Sequence, residues 1–114
     1  MPFIDLKTTT KISKEQEAEL IRELGEKIAL LPGKSEEWLM LNFSDECRMA
    51  FRGTTTPDIA YLEVKLFGAS TNAAYDKLTA AITTTVSKVL AVPSDRIYVK
   101  YEEISTWGYD GINF

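Results

Sequence analysis

Few side chains in this protein can act as a base near neutral pH. The 114 residues include no histidine and one cysteine, Cys47. Without histidine there is no Ser/His/Asp or Cys/His arrangement and no ordinary zinc site, so neither a metal centre nor a cofactor is expected. A lone cysteine forms no internal disulfide and no CxxC redox pair. The bases that remain are carboxylates, lysines, tyrosines, Cys47 and the chain terminus. Pro2 follows Met1, and a small second residue favours removal of an initiator methionine. The chain would then open on a secondary amine. An α-amino group titrates near about 8, and a prolyl amine is expected somewhat higher. An apolar pocket, for which Phe3, Phe67 and Phe114 are candidates, and a nearby cation would both favour the neutral form. Such an amine is a workable base. Taken alone, however, Pro2 reads more readily as a proline that opens a strand.

Composition narrows the partners. The apolar share of 45% and charged share of 26% suit a globular chain with a core of its own. A net charge of −4 leaves no basic excess to neutralise phosphates, so nucleic acid is not an expected partner. No apolar run is long enough to span a bilayer, and no membrane association is expected. The opening MPFIDLKTTT lacks a basic start followed by an apolar stretch. No signal peptide is expected, and the chain is expected in the cytoplasm.

The elements that must position these groups follow from periodicity. Residues 2–8 alternate, with Ile4, Leu6 and Thr8 opposed to Phe3, Asp5 and Lys7, which predicts a strand. Ser13-Lys14-Glu15-Gln16 is a capping box, and Leu20, Leu24, Ile28 and Leu31 form the stripe of a helix that Pro32-Gly33 ends. Residues 38–44 predict a second strand with Leu39, Leu41 and Phe43 on one face, followed by a loop over 45–58. The order then repeats. A strand over 59–66 turns Ala60, Leu62, Val64 and Leu66 to the helices. A helix capped within 70–72 runs to about Leu90, with Tyr75, Leu78, Ile82, Val86 and Val89 as its stripe. After the Pro93-Ser94-Asp95 turn, Ile97, Val99 and Tyr101 oppose Tyr98 and Lys100 on a fourth strand. The result is one α/β (α+β) domain over residues 1–114. Two tandem βαβ units make a four-stranded mixed sheet with two helices on one face. The other face would carry Phe3, Trp38, Met40, Ile59, Tyr61 and Tyr98, too apolar for water, and copies of the same chain are its simplest cover.

Five segments carry a resemblance beyond this architecture. They are the opening MPFI; Leu31-Pro32-Gly33-Lys34; Met49-Ala50-Phe51-Arg52-Gly53-Thr54-Thr55-Thr56-Pro57; Asp95-Arg96-Ile97-Tyr98-Val99; and Trp107-Gly108-Tyr109-Asp110-Gly111-Ile112-Asn113-Phe114. In this order and spacing they resemble the macrophage migration inhibitory factor family of the tautomerase superfamily. The resemblance implies a homotrimer whose sheets wrap a central channel, and an isomerase of arylpyruvates such as phenylpyruvate. Pro2 matches the catalytic proline and Lys34 the lysine that binds the substrate carboxylate. That cation would also keep the proline amine neutral. Phe67 matches the position whose backbone N–H holds the carboxylate, with Leu66 as the alternative, because this chain has one more residue between Pro57 and Gly68. Tyr98 and Lys100 match positions lent by a neighbouring subunit, Lys100 standing where asparagine is common. A lysine there could accept a second anionic group. Trp38, Tyr109 and Phe114 match aromatic positions of the pocket. Trp107 lies one position from the usual tail tryptophan and reads first as structural.

The same resemblance admits two other functions. One is a cytokine-like or host-mimic binding protein with a vestigial pocket, which also brings receptor binding and leaderless secretion. The other is a hydratase or decarboxylase using the proline as an acid, with Arg52 as the arginine to watch. Where some relatives carry a CxxC, this chain has Pro57-Asp58-Ile59-Ala60. Thiol–disulfide activity is therefore not expected, and Cys47 reads as a bystander.

Overall fold

The computed structural model describes residues 1–114. Strand β1 (Pro2–Thr8) leads to helix α1 (Lys14–Lys27), which tightens into a 3-10 turn over Ile28–Leu30. A second 3-10 turn, Glu36–Trp38, precedes strand β2 (Met40–Ser44). Strand β3 (Ala60–Phe67), helix α2 (Asn72–Leu90), a 3-10 turn (Ser94–Arg96) and strand β4 (Ile97–Ile104) complete the second unit. The tail folds into a small hairpin of β5 (Gly108–Tyr109) and β6 (Ile112–Asn113).

Local chemistry sets the helix ends. The Ser13 hydroxyl accepts the Gln16 N–H while the Gln16 side chain accepts the Ser13 N–H, the reciprocal capping that the sequence predicts. Glu15 and Glu17 in the first turn and Lys27 in the last complement the helix dipole. Thr71 caps α2 by accepting the Ala74 N–H. Helix α2 ends at Ala91, whose backbone is left-handed (φ 58°).

The sheet runs β2-β1-β3-β4, with β1 parallel to β2, antiparallel to β3, and β3 parallel to β4. Ile4, Leu6, Leu62, Val64 and Leu66 meet Leu20, Leu24, Ile28, Leu78, Ile82 and Val86 of the helices in one buried core. Fully burying each such side chain is worth about 2 kcal/mol.

Two expectations change. The second strand begins at Met40 rather than at 38, because Trp38 and Leu39 donate to the Ser35 and Glu36 carbonyls and close a 3-10 turn. The uncovered sheet face is not mainly apolar. Ile59 is buried ahead of β3 and Trp38 lies outside β2. The middle of that face carries Asp5, Lys7, Glu63, Lys65, Lys100 and Glu102, with Lys7 on Asp5 at 2.6 Å and Lys100 on Glu102 at 2.8 Å. Apolar side chains occupy its ends, Phe3 and Met40 at one and Tyr61 and Tyr98 at the other.

Candidate active site

Pro2 is buried at the head of β1, opposite Leu66 of β3. Beside it opens a cavity of about 490 Å³ lined by residues 1–3, by Glu37, Trp38, Leu39 and Met40, and by the tail residues Trp107, Gly108 and Tyr109. Three segments distant in sequence thus converge on the start of the first strand.

Lys34 follows the 3-10 turn that extends α1 to Leu30, and Gly33 just before it adopts a positive φ of 81°. The Lys34 Nζ donates to the Phe67 carbonyl at 2.8 Å. Phe67 turns its N–H to the Met1 carbonyl at 3.1 Å, so Phe67 rather than Leu66 presents a donor to the N-terminal residue. The Met1 ammonium is held below its ordinary value, first by burial and then by the charge and hydrogen bond of Lys34. Burial and Lys34 thus act together to shift the Met1 terminus toward its neutral form.

The aromatic residues divide. Trp38 and Tyr109 pack edge to face with centroids 5.2 Å apart and line the cavity together. Phe114 stacks on Phe67 at 5.9 Å, and its N–H donates to the Trp107 carbonyl at 2.8 Å, which ties the tail to the Lys34–Phe67 side. Trp107, read as structural from sequence, stands in the cavity wall. Glu37 and Leu39 also line it, and no sequence motif marks either as a site residue. Alternation read through 38–44 as strand conceals the turn that swings 36–38 toward Pro2.

Tyr98 and Lys100 are not brought to this cavity. They lie on β4, at the sheet edge opposite β2. Tyr98 lines a second cavity of about 400 Å³ with Met49, Phe51, Ile59, Tyr61 and Arg96. Lys100 is engaged by Glu102 at 2.8 Å and Glu63 at 3.4 Å. Arg52 lies over the Phe51 ring, its guanidinium 5.1 Å from the centroid, and is likewise remote from Pro2. No cluster of His, Cys, Asp or Glu has metal-binding geometry, and no helix is long and apolar enough to cross a membrane.

The mixed four-stranded sheet backed by two helices is the tautomerase fold. Within it, the chain belongs to the macrophage migration inhibitory factor family, whose model matches residues 1–113. It is similar to Leishmania major MIF2 at 29% identity and a TM-score of 0.93, covering 100% of this chain and 97% of that one. A macrophage migration inhibitory factor homologue from Prochlorococcus marinus is 28% identical with a TM-score of 0.88, covering 98% of each chain. A fused 4-OT, an asymmetric trimer, shares the fold at 21% identity and a TM-score of 0.83, covering 96% of this chain and 94% of that one. No curated protein sequence matches the chain significantly.

Proposed function

We propose that this protein is a keto–enol tautomerase of arylpyruvates such as phenylpyruvate, working as a homotrimer, with the Pro2 amine as its base once Met1 is removed. The observation that carries this reading is the Met1 carbonyl on the Phe67 N–H, with Lys34 alongside. Loss of Met1 would free that donor beside a cation and expose a secondary amine at the same point. An N–H and an ammonium are the partners a substrate carboxylate needs.

The mechanism follows from these positions. Lys34 and the Phe67 N–H hold the carboxylate and orient the 2-keto acid. The neutral Pro2 amine takes a proton from the carbon next to the ketone, and the electron pair moves to the carbonyl oxygen as the enol forms. The prolinium, or a water, returns the proton to that oxygen. Burial and Lys34, which lower the Met1 ammonium, would act on a Pro2 amine in the same way. In a trimer, Tyr98 and Lys100 would come to the pocket from the neighbouring subunit.

Intact mass should show that Met1 is absent from the active protein. Pro2→Gly should lower kcat/KM on phenylpyruvate by roughly 10²–10⁴-fold while sedimentation still gives a trimer. Unchanged activity in that variant would refute the role of Pro2. A base also predicts activity that rises with pH through the amine's pKa, whereas an acid proline predicts a fall.

A further inference from the structure

The lining of the cavity beside Pro2 holds one charged side chain, the acidic Glu37, carried there by the Glu36–Trp38 turn. Lys34 and Phe67 stand outside the lining and meet it through Met1, whose carbonyl accepts the Phe67 N–H and whose ammonium Lys34 lowers. The Glu37 carboxylate enters none of the chain's ion pairs or side-chain hydrogen bonds, in contrast to Glu23, Glu63 and Glu102. Beside it stand the crossed rings of Trp38 and Tyr109, and Trp107. Indole and phenol faces attract cations through their quadrupoles. A carboxylate beside them adds Coulomb attraction of the same sign.

Other charges near the cavity do not cancel this negative charge. Lys65 lies 5.9 Å over the Phe3 ring, but it flanks Phe3 from β3, whereas Glu37 and Trp38 lie toward β2 on the other side. Lys100, the cation that a neighbouring subunit would bring, is already compensated by Glu63 and Glu102. Its geometry therefore opposes the expectation that it receives a second anionic group.

We infer that Glu37, with the Trp38, Tyr109 and Trp107 rings, makes this pocket selective for 2-keto acids whose distal end carries a positive charge, and selective against those with a second anion. The inference rests on the tautomerase reading for its substrate class and adds the charge of the substrate's far end. Glu37 acts as a specificity determinant and takes no part in proton transfer.

The test uses the processed protein and three phenylpyruvates whose para position bears hydrogen, a trimethylammonio group or a carboxylate. Wild type should prefer the cationic substrate over phenylpyruvate by about fivefold in kcat/KM, and disfavour the dianion by about tenfold, the range expected of a cation–π site reinforced by one carboxylate. Glu37→Gln should reduce the cation-to-anion ratio at least tenfold, and Glu37→Lys should invert the order. The same ranking in wild type and Glu37→Gln overturns the inference. Should no arylpyruvate turn over, the tautomerase reading fails separately. Calorimetric titration with the matching para-substituted phenylacetates then decides the inference. A cation preference that depends on Glu37 sustains it, and equal affinities or no binding refute it.

Discussion

The two cavities occupy equivalent places in the two βαβ units, yet only one has the makings of an active site. The first lies where β1 and β2 begin and is closed by the tail that follows β4. The second lies where β3 and β4 begin and is closed by residues 49–51, which follow β2. In each unit a cation follows the helix. Lys34 donates to one carbonyl, that of Phe67, and keeps the rest of its ammonium for another partner. Arg96 is buried, and its guanidinium bonds the carbonyls of Pro57 at 2.8 Å, Thr54 at 3.1 Å and Phe51 at 3.4 Å. The first strand of one unit opens on a residue whose nitrogen can become a free amine; that of the other opens on Ala60, an ordinary amide. One cation is left available and the other is consumed in bracing a loop. That difference separates a site from a scaffold within one repeated architecture.

The sharpest way to break this contrast is to keep the first nitrogen an amide as well. A Gly-Ser extension ahead of Pro2 should abolish phenylpyruvate turnover, a loss of roughly 10³-fold or more if the amine is the base, with an unchanged circular dichroism spectrum. Retained activity would break the comparison at its root. Next in size is Arg96→Ala, which removes a charged donor from three carbonyls and leaves that of Pro57 without a partner. It should cost about 3 kcal/mol in urea denaturation and lower Tm by roughly 10 °C. Lys34→Ala sharpens the distinction from the other side. It should reduce kcat/KM by about 10–100-fold while moving stability by less than about 1 kcal/mol. A large stability loss there would mean that both lysine and arginine are braces.

The smallest effect belongs to the charged band between the cavities. Burial alone would raise the Asp5 carboxyl, but hydrogen bonds from Lys7 and Asn42 outweigh it and hold the group below its ordinary value. A lowered carboxyl stabilises the fold above its unfolded value of about 4, and the gain disappears as pH falls through the folded value. Asp5→Asn should therefore cost about 1 kcal/mol in denaturant titrations at neutral pH and nothing once both forms are protonated.

Much of this was legible in the sequence because local signals agreed with the final fold. The Ser13 box and the two apolar stripes located both helices, and alternation gave the strand faces. Pro2, Trp38 and Tyr109, named from a resemblance, line one cavity, Lys34 and Phe67 meet its edge at Met1, and Phe114 joins through its ring contact with Phe67. The unread parts have physical reasons. A single 3-10 turn has no periodicity long enough to detect, which hid the placement of Glu37. The tail hairpin did have a signal. Asp110-Gly111 is a two-residue turn with φ of 51° and 81°, the positive pair that a type I′ hairpin requires. Tyr98 and Lys100 lie far from Pro2 within one chain because the strand order places β4 at the far edge, and only the proposed trimer would bring them to the pocket.

Both tryptophans of the protein, Trp38 and Trp107, stand in the wall of the Pro2 cavity. Spectroscopically, this makes the pocket its own reporter. All indole emission originates within reach of a bound ligand, and Tyr109 at 5.2 Å from Trp38 can feed its excitation into that signal. Occupancy and exchange of ligand at this site could then be followed in the unlabelled protein, by light alone and in real time, with no background from any tryptophan elsewhere in the fold.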